Sequence, residues 1–83
     1  MRKNHILVWI EEPSLSEPDK MQDYRAILGG ILHPSNIQIK EGLACSTNCW
    51  LLNREENVGV LAKIVEAAVS RKLKYGVRFL SED

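Results

Sequence analysis

Three observations predict an α+β sandwich of the split βαβ, ferredoxin-like type. Hydrophobic patterns of strand and helix period follow one another as strand, helix, strand, strand, helix, strand. The chain has 83 residues, enough for one thin core. No Pro/Gly/Ser-rich linker or low-complexity tract divides it, so residues 1–83 read as a single domain. The natural solution is a four-stranded antiparallel sheet with two helices on one face. Right-handed crossovers then place the first and third strands centrally and the second and fourth at the edges.

Residues 5–10 form a β-branched apolar run stopped by Glu11, Glu12 and Pro13, the pattern of a buried strand. Ser16 is placed to cap the first helix, with Pro18 near its first position and acids at its positive end. Met21, Tyr24, Ile27, Leu28 and Ile31 recur at helical spacing. Gly29 and Gly30 weaken the last turn, and His33 before Pro34 caps it. Residues 37–40 alternate as a second strand, and residues 49–53 read as a third. The hairpin turn between them has two candidate places, Gly42 or Ser46-Thr47-Asn48. Glycine's tolerance of positive φ favours Gly42 and a long third strand over residues 43–53. Asn57 caps the second helix, whose buried stripe is Val58, Leu61, Ile64, Val65 and Ala68. Residues 75–80 make the last strand.

Composition removes several function classes. The chain has 11 Lys+Arg, 11 Asp+Glu and 45% hydrophobic residues, unlike a charge-rich disordered segment. Its longest uncharged apolar run, residues 6–10, falls far short of the roughly 20 needed to span a bilayer. No signal-peptide stretch follows the first residues. A compact cytoplasmic protein with no membrane association is the expectation. Two cysteines are too few to staple a mini-protein. Pairing with another chain is the remaining source of burial.

With helices on one sheet face, side-chain parity decides what the other face shows. Ile6, Val8 and Ile10 suit the core, leaving His5, Leu7, Trp9 and Glu11 outside. Tyr75, Val77 and Phe79 suit the core, leaving Arg78 and Leu80 outside. In the third strand either Leu43, Cys45, Cys49 and Leu51 point inward, or Ala44, Trp50 and Leu52 do. Small thiols suit a tight helix–sheet interface, so Trp50 and Leu52 are expected outside. Leu7, Trp9, Trp50, Leu52 and Leu80 would then share one exposed apolar face, the mark of an interface. A homodimer is the first reading and a different protein partner the second. A nucleic-acid platform with stacking tryptophans is disfavoured by the zero net charge. Arg71, Lys72, Lys74 and Arg78 are candidate phosphate contacts. The simpler account of them is matching to the helix dipole, with solubility.

Cys45 and Cys49 have no second pair, so a four-ligand zinc site would need His5 and His33 to converge on them. With the turn at Gly42 the thiols lie roughly 13 Å apart on one strand and stay free. With the turn at Ser46-Thr47-Asn48 they face each other across strands and could oxidise. Free thiols are expected. Glu11 and Glu12, adjacent at a strand end, are candidate magnesium ligands, although a solvated strand end is the simpler account of them. Val8-Trp-Ile-Glu-Glu-Pro13 and Ser46-Thr-Asn-Cys-Trp-Leu51 resemble two short stretches of the CRISPR spacer-acquisition endonucleases and related antitoxins. That resemblance implies a nuclease-like role for the acid at Glu11. No other catalytic motif is present, and no cofactor is expected. The leading function is therefore an association module; the alternative is a metal-assisted nuclease or nucleic-acid-binding regulator.

Overall fold

In the computed structural model, which describes residues 4–81, alternation of burial defines β1 (Asn4–Ile10). Ile6, Val8 and Ile10 are buried, and Leu7 and Trp9 are half-buried on the opposite face. Next come α1 (Pro18–Gly29), a single 3-10 turn (Pro34–Asn36), β2 (Leu43–Ser46) and β3 (Cys49–Asn53). α2 (Val58–Ser70) and β4 (Tyr75–Ser81) complete the chain. The strands form one antiparallel sheet in the order β2-β3-β1-β4, the ferredoxin-like arrangement. No helix among the described residues is long and apolar enough to cross a membrane.

One sheet face carries the core. Met21, Tyr24 and Ile27 of α1 and Ile64, Ala67 and Ala68 of α2 close over Val8, Ile10, Trp50 and Leu52. Residues directly opposed on antiparallel strands share a face. Val8 opposes Trp50 and Ile6 opposes Leu52, so both β3 residues point at the helices. Trp50 is 3% and Leu52 0% exposed, which corrects their expected place on the open face. Area is the reason: an indole and a leucine bury far more apolar surface than two thiols. Cys49 and Leu51 take the open side instead.

The hairpin turns at Thr47 and Asn48 rather than at Gly42. Asn48 fixes this turn through bonds within it and to β1. Its Oδ1 accepts from the Ser46 hydroxyl at 2.8 Å, and its Nδ2 donates to the Ile10 carbonyl at 2.9 Å. The Ile10 amide donates back to the Asn48 carbonyl at 3.0 Å. Gly42 has no positive φ; Glu41 takes that conformation, at φ 54. Glycine is needed at 42 because a Cβ there would collide with the Leu51 carbonyl. Residues 37–40 keep their alternation, with Ile37 and Ile39 half-buried, yet they form no strand. Their backbone is held by a side chain instead. The Lys40 amide donates to Asn57 Oδ1 at 2.9 Å, and Asn57 Nδ2 donates to the Lys40 carbonyl at 2.7 Å.

Helix ends differ from expectation in detail. Glu17, not Ser16, is the N-cap residue of α1, with Pro18 next; the Ser16 hydroxyl pairs with that of Ser14. Beyond α1 the Leu32 amide bonds the Ile27 carbonyl, so Leu32 is buried while Ile31 is 51% exposed. His33 caps the 3-10 turn rather than α1, its Nδ1 accepting from the Ser35 amide at 3.1 Å. Asn57 is the N-cap residue of α2, but its side chain serves Lys40, and Val58 is exposed. α2 closes with amides of Lys72 and Leu73 bonding the carbonyls of Val69 and Ala68, and Leu73 tucks into the core. This is a Schellman closure, with Lys72 at φ 55 in the position glycine favours.

Two stability outcomes follow from these anchors. Asn57→Ala leaves the Lys40 peptide without partners and should cost about 1–3 kcal/mol in urea unfolding. Lys72→Gly relieves the left-handed lysine and should add about 1 kcal/mol in the same assay, after allowing for glycine's unfolded-state freedom.

Candidate functional site

The uncovered sheet face is built in rows across the strands. Leu43, Leu51, Leu7 and Arg78 are successive Cα partners in one row. Cys49, Trp9 and Gly76 make the next, and Asn53, His5 and Leu80 the third. The Trp9 ring lies directly on the Gly76 backbone, where any Cβ would overlap the indole. This close approach supplies the flat cover that a glycine in a strand otherwise lacks. Leu43 is 53% and Leu80 39% exposed, while Leu7, Trp9 and Leu51 are half-buried. His5 Nε2 reaches the Glu41 carbonyl at 3.3 Å across the β3 side of this face. Leu7, Trp9 and Leu80 thus lie where parity placed them. Leu43 and Leu51 belong to the face as well, against the inward placement that the small thiols of the same strand suggest. The opposition of Val8 and Trp50, visible only once the hairpin register is known, would have found them.

β4 bounds this face with an unpaired edge. Tyr75, Val77 and Phe79 lie on the helix side as expected, opposite Ile10, Val8 and Ile6. Tyr75 is nevertheless 39% and Phe79 62% exposed, so on this edge strand neither aromatic is enclosed by the core. The Arg54 guanidinium sits 5.5 Å from the Phe79 ring centroid, within cation–π reach.

The charged candidates gather elsewhere. Glu11 and Glu12 line a cleft of about 280 Å³ at the end of β1, together with Glu17, Lys20, Lys72 and Lys74. The Glu11 amide donates to the Lys74 carbonyl at 2.8 Å, tying the two segments together. Candidate metal ligands and candidate phosphate contacts therefore face each other, and their opposite charges offset. Arg71 instead bonds Asp23 at 3.0 Å, and Arg78 stands on the open sheet face. The four bases are dispersed rather than gathered into one patch. His5 and His33 do not converge on the cysteines, each being engaged elsewhere. Among the described residues no group of three or more His, Cys, Asp and Glu is set to hold a metal ion.

Compared with protein-family models, with curated proteins and with solved structures, the chain matches none.

Tyr24 sits beneath the end of β1. Burial, and then the Glu12 carboxylate, hold its phenol above the ordinary tyrosine range, while a hydrogen bond with the Asn48 side chain opposes them. A raised folded-state value means that the fold prefers the neutral phenol. Its contribution to stability is complete below the unfolded value of 10.0 and is lost as pH climbs through the folded value. Wild type should therefore lose denaturant stability relative to Tyr24→Phe as pH rises above that point. Parallel profiles of the two proteins would contradict this assignment.

Proposed function

We propose that the chain is an association module that forms a homodimer through its open sheet face. The observation that supports this most is the unbroken apolar row of Leu43, Leu51 and Leu7, extended by Trp9 and Leu80. Surfaces of this kind on a small domain mark interfaces. A second copy fits the face in charge as well as shape. Among the described residues in the strand pairs of this face, the one full charge is Arg78, near the β4 edge, and the chain's net charge is +0. A two-fold axis along the β3–β1 seam would set β4 of each copy over β2 of the other. Both Arg78 side chains then lie at opposite rims, and leucines and Trp9 fill the centre, the usual anatomy of a protein interface. Association in this form binds rather than catalyses, and the burial it adds suits a chain with a thin core.

The alternative, a metal-assisted nuclease or nucleic-acid-binding regulator, rests on Glu11 and Glu12. It is the weaker reading because lysines face those carboxylates and the remaining bases are dispersed.

Sedimentation across micromolar concentrations tests the dimer. Wild type should self-associate, and Leu51→Glu should weaken association roughly 30-fold or more, as loss of a central anchor does. Leu15→Glu, at an isolated leucine that is 88% exposed, should leave association unchanged. A wild-type protein that stays monomeric throughout would overturn the proposal.

A further inference from the structure

Cys45 and Cys49 form a pair that association leaves unused. The hairpin pairs Leu43 with Leu51, Ala44 with Trp50 and Ser46 with Cys49, the register shifting between Ala44 and Ser46. Cys45 is the extra residue at that shift, so that it and Ser46 together stand against Cys49. In a bulge two residues of one strand oppose one of its partner. Opposed residues on antiparallel strands have Cα atoms about 4.5–5.5 Å apart, inside the roughly 4.4–6.8 Å window of a disulfide. Both thiols are free, Cys45 exposed and Cys49 half-buried.

We propose that Cys45 and Cys49 are a reversible dithiol–disulfide couple on the open sheet face, oxidised by a small-molecule disulfide of the glutathione class. The Cys45 thiolate attacks one sulfur of that disulfide, whose S–S bond breaks, and one glutathione leaves as thiolate and takes up a proton. Cys49 then loses its proton and attacks Cys45 Sγ, expelling the second glutathione. Two electrons and two protons pass from the cysteines to the disulfide, which becomes two thiols. Cys45 leads because it is the accessible sulfur. Burial, and then the neighbouring Cys45, hold the Cys49 thiol above its ordinary range and make it the resolving partner.

This couple does not depend on dimer formation, and its test is separable. The full chain at low micromolar concentration is treated with oxidised glutathione, then followed by intact mass and by thiol titration after denaturation. The expected result is a fall from two thiols to none, a mass lower by two hydrogen atoms, and reversal by reduced glutathione. Cys49→Ser should stop at the glutathione adduct on Cys45. A wild-type protein that halts at glutathione adducts, forms only chain-to-chain disulfides, or keeps both thiols overturns the proposal.

Discussion

The opposition of Val8 and Trp50 across β1 and β3 governs the rest of the structure. It commits the largest side chain of β3 to the helix side, and strict alternation then assigns every neighbour. Leu52 follows Trp50 inward, while Cys49 and Leu51 are turned outward beside Trp9 and Leu7. Two helices can cover only one side of four strands. The face left over therefore acquires its character from a decision made in the core.

Asparagines hold this arrangement where strands cannot. Asn48 extends the β1–β3 hydrogen bonding past the Trp9–Cys49 pair to Ile10, and Asn57, 1% exposed, pairs with the Lys40 peptide as a neighbouring strand would. Both use the amide's joint donor and acceptor character to satisfy a backbone peptide. The segment between α1 and β2 thereby packs Ile37 and Ile39 against the core without adding a strand to the sheet.

Much of the fold was legible in the sequence, because β-branched alternation in residues 5–10 and helical spacing in residues 21–28 are strong local signals. The order of the strands followed from general rules of connection. What escaped was the hairpin. Gly42 and Asn48 are both credible turn residues, and the choice rests on contacts with Leu51 and Ile10 that local patterning does not carry. The same gap misplaced Trp50 and Leu52 and hid Leu43 and Leu51. At the charged cleft, the sequence separates Glu11 and Glu12 from Lys72 and Lys74 by some sixty positions. Only the packing of the segment after α2 against the end of β1 reveals that they line one cleft.

The Asn48 bridge also shapes how the chain must fold. β2 and β3 form a hairpin of short sequence separation, the kind of unit that closes within microseconds when it is self-sufficient. This one is not, because its turn amide reaches Ile10, 38 residues away. Until β1 docks, the hairpin lacks both its outer hydrogen bonds and the cover over Trp50. Its formation is thereby coupled to non-local closure of the sheet, which sets the pace for the whole domain rather than for its local pieces.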